Sequence, residues 1–547
     1  MSEPLPPEPL RGEPPVLTHD PASRVGPDAS VRVVGAPVAS TGDRTTIDRG
    51  PVPALEPDRA APVPVAPAAR RRRRRRWFSA AAVLAVLGAG CLAAAVLGSG
   101  GAERAHGAPA AVRLGTPVLS ARRGPQLLPR PGAAPPLRAA IDPVVARFPD
   151  ASCVVVSDGR TDLAATNPTT PLAPASNTKL LTASAALHVL GADTTLQTTV
   201  AAAAAPQAGR VAGDLYLIGG GDPLLSTATA ATRMTHGAEP TTSLETLADQ
   251  VVAAGVRSVD GSVRGDGSRY DDERKVPTWP QRYIADGTAS NLGALMVNDA
   301  WTQDPVDPAG AKGGPAPDPA AHAAEVFTRL LAARGVTVAG APAVGPAPAG
   351  AVPVTSVPSR PVSELVGQML AFSDNTTAEM LLKELAAHDG SQGSTAGGIQ
   401  VLVSDLTARG LPVDGLVLHD GSGLSRENRA TCELLDAVIS SEGTDGPFAA
   451  GLARPGRPGT LDDRFGSEPL RSRLAAKTGT LNDVTALSGW VTTDSGTPLA
   501  FSTVQNPAGR RIQAGDLALP GQLLQALLSY PQAPPAEQLS PLPPGPT

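Results

Sequence analysis

Three short motifs stand far apart in this chain: Ser176-Asn177-Thr178-Lys179, Ser373-Asp374-Asn375 and Lys477-Thr478-Gly479-Thr480. If they act together, the fold must bring widely separated segments into one cleft. The interval between the first two is far longer than one helical layer requires. It is therefore expected to hold an insertion, with the parts of a single domain on either side of it. Lysine usage singles out the same places. Of 46 basic residues only Lys179, Lys275, Lys312, Lys383 and Lys477 are lysine, so an ordinary surface charge here is nearly always Arg. Arg keeps its proton, whereas a buried Lys can serve as a base or as a compact point charge.

A Ser three residues before a Lys, at a helix start, places both side chains on one face of the first turn. Ser is a poor nucleophile until a base takes its proton. Lys179 can do so if desolvation and a neighbouring cation, with Lys477 the candidate, weaken its hold on its own proton. A helix N-terminus also favours negative charge developing near Ser176. Alone, each motif has a plainer reading: a capping Ser before a solvated Lys, Ser-Asp-Asn as loop chemistry, Lys-Thr-Gly-Thr as a lead into a turn. Together and in this order they read as a nucleophilic site. Ser176 is the expected nucleophile, with Lys179 as its base. Ser373 would relay a proton, and Asn375 would hold a substrate amide and orient Lys179. Lys477 and Thr478 would bind a carboxylate, while Gly479 lets substrate approach the backbone closely. The N–H groups of Ser176 and Thr480 would form an oxyanion hole. His188 and His419 are weaker candidates, because a lone His on an apolar helix is more often packed than catalytic. Glu379 and Glu384 lie at helical spacing and read as a solvated or paired face. No Cys/His cluster has metal-ligand spacing, so neither a metal nor another cofactor is expected.

The ends read differently from the middle. Residues 1–76 are Pro-rich, lack aromatics and close with a run of Arg, which predicts a disordered cytoplasmic segment. Residues 77–98 carry no charge and can cross a hydrocarbon core of about 30 Å. The Arg run directly before them orients such a span, leaving the N-terminus inside and the rest outside the cytoplasm. Competing readings are a nucleic-acid or nuclear-address function for the Arg run and a cleaved signal peptide. Beyond residue 76 acids outnumber bases, which leaves no electrostatic footprint for nucleic acid. Residues 99–136 read as a tether and 532–547 as a disordered tail. Residues 137–204 and 353–531 form the expected catalytic domain, with strands near 153–156, 161–165, 485–491 and 498–504, and helices near 176–189, 361–385 and 514–528. Residues 205–352, rich in short strands and Gly turns with one helix near 320–333, form the expected inserted domain. Cys153 and Cys432 could pair in an oxidising compartment or remain two buried thiols.

The chain resembles the D-alanyl-D-alanine carboxypeptidase/endopeptidase family, the class C low-molecular-mass penicillin-binding proteins, over about residues 110–530. Beyond the three motifs, the resemblance rests on Gly213-Asp214-Leu215-Tyr216-Leu217 with Gly219-Gly220-Gly221-Asp222-Pro223, and on Trp279 with Asn291-Leu292-Gly293-Ala294-Leu295. It extends to Ala378-Glu379 after the second motif, to Asp420-Gly421-Ser422-Gly423-Leu424-Ser425, and to Gly459-Thr460-Leu461 with Arg464-Phe465. The last two stretches read as scaffold around the cleft. The resemblance implies an α/β (α+β) fold: a β-lactamase/transpeptidase-like domain with a five-stranded antiparallel sheet flanked by helices, interrupted by an inserted β-rich domain. It implies the peptidoglycan stem peptide ending in D-Ala-D-Ala as substrate, an acyl-enzyme on Ser176, and penicillins and other β-lactams as acylating inhibitors. A serine β-lactamase shares the motifs but needs efficient deacylation, usually through a positioned Glu, and the large insert argues against so compact an enzyme. A membrane-tethered wall-binding protein with a decayed site is the non-enzymatic alternative, and the intact motif residues argue against decay.

Overall fold

The computed structural model describes residues 129–531 apart from 160, 232–240 and 303–312; side chains of 129–134 are not described. The expected cytoplasmic segment, membrane span, most of the tether and the tail lie outside the described residues. Among the described residues no helix is long and apolar enough to cross a membrane.

Helix α1 (Pro129–Val145) begins inside the stretch read as tether and leads to β1 (Ser152–Ser157) and β2 (Asp162–Thr166). The two strands form a hairpin whose turn is held by Thr161 N–H donating to Asp158 Oδ1 at 3.0 Å. Helix α2 (Thr178–Ala185) follows. The chain then enters the insert through β3 (Gln197–Ala202) and β4 (Leu215–Ile218), continues through α3 (Leu244–Ala253), β5 (Val263–Asp266) and α4 (Pro319–Ala332), and returns through β6 (Ala343–Val344) and β7 (Val352–Pro358). Afterwards come α5 (Val362–Phe372), α6 (Asn375–Ala387), α7 (Thr395–Ala408) and α8 (Cys432–Glu442). The last elements are β8 (Leu474–Leu481), β9 (Val484–Thr492), β10 (Pro498–Gln505) and α9 (Ala514–Leu527).

The main sheet runs β8-β9-β10-β1-β2 and is antiparallel throughout. Both of its faces are covered, which explains why β1 is apolar without polar alternation. Cys153 and Val155 point into a core with α2, α5, α6 and α8, while Val154 and Val156 point into a second core with α1 and α9. Strand β10 divides in the same way, with Ala500 and Val504 in the first core and Leu499 and Phe501 in the second. Cys153 and Cys432 form a disulfide that ties β1 to the first residue of α8.

The insert has its own mixed sheet, ordered β6-β5-β4-β3-β7. Its first and last strands pair antiparallel, so the chain enters and leaves the insert side by side. This adjacency lets a long insertion sit in the domain without separating its flanks. Both strands belong to the insert's sheet, so its edges lie one strand further out than the change in composition suggested. The insert also holds α3, which periodicity did not single out. Helix α4 is capped by Asp318, whose side chain accepts from Ala320 N–H and Ala321 N–H, with Pro319 at the first helical position. Leu215, Leu217, Leu247, Val263, Phe327 and Leu331 form its core. On the side of α6, Tyr270, Ala294 and Met296 pack on Met380 and Ala387, and Trp279 and Leu292 pack with Leu424.

Candidate active site

Two of the motifs occupy points where the backbone departs from regular structure, and the third lies on a regular strand. Ser176 lies in a 3₁₀ turn (Ala175–Asn177) that runs directly into α2. The residue before it, Ala175, has φ +47°, an uncommon left-handed conformation for a residue with a Cβ. Ser373 ends α5 at φ +62°, ψ +33°, and this single left-handed residue splits what reads as one helix into two. Asp374 then caps α6, its Oδ1 accepting from Thr377 N–H at 3.0 Å, which makes Asn375 the first residue of the new helix. Lys477, Thr478, Gly479 and Thr480 lie on β8, an edge strand of the main sheet.

The three motifs converge. Lys179 Nζ lies 3.1 Å from Ser176 Oγ and donates to Asn375 Oδ1 at 2.6 Å and to the Ser422 carbonyl at 2.7 Å. Lys477 Nζ donates to Ser373 Oγ and to the Thr478 carbonyl, each at 2.8 Å. Asn375 Nδ2 donates to the Thr288 carbonyl at 2.8 Å, so the insert supplies one wall of the site. Lys179 and Lys477 are fully buried, and Ser176, Ser373, Asn375 and Thr478 are buried. A Cβ added at Gly479 would stand 2.9 Å from the Pro174 carbonyl oxygen and 3.2 Å from Ser176 N, so β8 passes directly against the Ser176 turn. The Ala476 N–H leaves the sheet to reach the Ala453 carbonyl, and by the two-residue period of a strand the amides of Thr478 and Thr480 face that same open edge.

Several residues that matter here were not legible as site residues. The stretch from Asp420 to Ser425 reads as scaffold but supplies the Ser422 carbonyl to Lys179. Glu379 is no solvated face residue: it is fully buried, and its carboxyl accepts from Ser422 N–H at 2.7 Å and Gly421 N–H at 3.1 Å. Burial first, and then the charge of Asp420, push its carboxyl well above the usual range. The one available signal was its place four residues after Asn375, on the same face of α6. Glu384 is buried and paired with Arg269 and Tyr270 of the insert, so for it the paired reading holds. Lys383, which carried no expectation, pairs with Asp271. His188 pairs with Asp405, and His419 lies 3.7 Å from Glu427, so neither histidine forms a pair with Ser176. Among the described residues no cluster of His, Cys, Asp and Glu could hold a metal ion.

A buried Ser–Lys pair, a second Ser–Lys pair across the cleft and an edge strand of the main sheet beside them are the marks of a β-lactamase/transpeptidase-like fold. The family model for the D-Ala-D-Ala carboxypeptidase 3 (S13) family matches residues 137–317 and 315–518, and the chain belongs to that family. Similar proteins include a D-alanyl-D-alanine carboxypeptidase of Actinomadura sp., 33% identical over 410 residues, covering 61% of this chain and 73% of the relative. Carboxypeptidase DacB of Mycolicibacterium smegmatis is 32% identical over 355 residues, covering 62% and 72%. Among solved structures, penicillin binding protein 4 of Haemophilus influenzae shares the fold with a TM-score of 0.62 at 21% identity, over 71% of this chain and 99% of that one. The same protein complexed with a β-lactam gives a TM-score of 0.53 at 20% identity, over 71% and 98%.

Proposed function

We propose that the chain acts on peptidoglycan stem peptides as a serine-type D-Ala-D-Ala carboxypeptidase/endopeptidase, through an acyl-enzyme on Ser176, and that β-lactams acylate the same serine. The observation that carries this reading is the set of acceptors around Lys179. A neutral amine has two N–H donors and one lone pair. Asn375 Oδ1 and the Ser422 carbonyl engage both donors, which aims the lone pair at Ser176 Oγ.

In the proposed sequence, Ser176 Oγ attacks the carbonyl carbon of the penultimate D-Ala while its proton passes to Lys179. The oxyanion is held by the amides of Ser176 and Thr480. Lys477, with Thr478, binds the terminal carboxylate. Ser373, bonded to Lys477, relays the proton that Lys179 has taken up to the departing amine as the C–N bond breaks, and so keeps its own hydroxyl. Water then attacks the ester carbonyl, giving a proton to Lys179, which passes it to Ser176 Oγ as the ester C–O bond breaks and the shortened peptide leaves. Endopeptidase action follows the same steps with a cross-linked amine as leaving group. The Haemophilus relative complexed with a β-lactam supports the inhibitor class. An anchor at 77–98, with the catalytic unit outside the cytoplasm, completes the reading. The Cys153–Cys432 disulfide supports it, because such bonds persist in oxidising compartments.

The test is to label the purified full chain with a fluorescent penicillin beside Ser176→Ala, and to measure D-Ala release from a pentapeptide mimic. We expect stable label and D-Ala release from wild type and neither from the variant. An unlabelled wild type, or a labelled Ser176→Ala, defeats the serine reading, and label lost within seconds points to a β-lactamase.

A further inference from the structure

The loop from Asp420 to Ser425 is fastened on two sides. Its carbonyls face α2: Thr182 Oγ1 donates to the Gly421 carbonyl at 2.8 Å, and Lys179 to the Ser422 carbonyl at 2.7 Å. Its amides face two buried carboxyls. Gly421 N–H and Ser422 N–H donate to Glu379, and Gly423 N–H donates to Asp420 Oδ1 at 2.8 Å. The peptide unit between Ser422 and Gly423 is therefore held at both ends, by Asp420 at its N–H and by Lys179 at its oxygen. The unit before it is held by Glu379 at its N–H and by Thr182 at its oxygen, and Glu379 alone also takes the Gly421 N–H. Asp420 is in turn fixed by Asn428 Nδ2 at 2.6 Å and by Trp279 Nε1 of the insert at 2.7 Å.

We propose that Glu379 is a positioning residue for the reaction: by holding the amides of Gly421 and Ser422 it sets the Ser422 carbonyl that orients Lys179 towards Ser176. The proposal rests on the serine reading above. Glu379 touches neither substrate nor reacting atoms, so it acts only through the loop and Lys179. Substrate carboxylate recognition, by Lys477 and Thr478 on β8, does not pass through it. Loss of Glu379 should accordingly slow acylation and leave ligand affinity nearly as it was. Its raised carboxyl favours the neutral acid, which makes the neutral amide of Gln the conservative substitute.

The experiment uses the full chain as wild type, Glu379→Gln and Glu379→Leu, with Ser176→Ala as the reference for unspecific label. Penicillin acylation is followed against concentration, separating the limiting rate constant from the dissociation constant, and each variant is melted. We expect Glu379→Leu to lower the limiting rate constant about 100-fold, as a misplaced catalytic group does, with the dissociation constant within about threefold. Glu379→Gln, which keeps one acceptor, should recover about tenfold of that loss. A wild-type limiting rate in folded Glu379→Leu overturns the proposal while the serine reading stands. So does a loss that merely follows the unfolded fraction, or one seen only in the dissociation constant. An unlabelled wild type overturns the serine reading and this proposal together.

Discussion

In the proposed mechanism Lys179 and Lys477 give one residue type two roles in one cleft. Lys179 Nζ lies 3.1 Å from the Ser176 hydroxyl and donates to two fixed acceptors, the placement that the proposed base role calls for. Lys477 donates to a hydroxyl and a carbonyl beside an open strand edge, which suits a permanent cation for a carboxylate. Arg is always protonated and cannot take the first role, although it keeps the charge. Lys179→Arg is therefore expected to lower the penicillin acylation rate by at least about 10³-fold, the scale of a lost general base acting on a nucleophile. A labelling time course beside wild type checks this, and a normal rate refutes the base assignment. Both lysines were visible in the sequence because lysine is so rare in it. Glu379 was not, because whether a carboxylate on a helix is solvated or buried depends on what covers that face.

At the scale of elements, the site depends on short irregular joints between regular pieces. Periodicity located the helix around Ser373 but not the left-handed residue that divides it, since that break places Ser373 and Asn375 on different helices. The same holds for the loop at Gly423. Its φ is +85°, and a Cβ there would stand 1.9 Å from the Ala175 carbonyl oxygen and 2.9 Å from Thr178 Oγ1. The position needs Gly for both its conformation and the closeness of the Ser176 turn. Gly423→Ala should therefore push the loop from α2, costing at least about 2 kcal/mol of stability and about tenfold or more in acylation. Thermal melting and labelling of the variant check this, and retention of both wild-type values removes the proposed contact. The helices α7 and α8 were missed from periodicity. Helix α8 lies under the main sheet, and its buried Leu434, Leu435, Val438 and Ile439 recur at helical spacing, a signal that was present in the sequence and passed over.

For the whole molecule, two cores and a cross-link hold the catalytic unit, and the insert is locked to it through Tyr270, Lys383 with Asp271, and Trp279 with Asp420. Buried charge in the first core sets how stability varies with pH. Asp436 on α8 accepts from Ser157 Oγ at 2.6 Å, while its Oδ1 is buried without a partner. Burial, only partly offset by the Ser157 hydroxyl, pushes its carboxyl up to about 7 from an ordinary value of 3.8. Between those values the native state keeps a proton that the unfolded chain has released. This group's contribution is thus favourable at low pH, falls as pH rises through the window, and becomes a constant penalty above about 7. Asp436→Asn should melt higher than wild type at pH 8, by roughly 2–4 °C for each kcal/mol relieved, with the gain fading towards pH 4. Melting curves across that range check the sign, and an equal shift at every pH excludes Asp436 as the source.

The sequence by itself determined the candidate side chains of the three motifs, their order, and four of the five strands of the main sheet, though not the edge strand β8. These follow from local chemistry: residue types that a reaction requires, hydrophobic periods, and turn residues. The tertiary structure decided which carbonyls surround Lys179, that Glu379 and Asp420 are buried together, that Cys153 and Cys432 pair, and that the insert's first and last strands are neighbours. Each of these depends on groups distant in sequence meeting in space. Backbone atoms carry no residue identity, so a carbonyl from Ser422 or Thr288 leaves no mark in the sequence of the role it plays in the site.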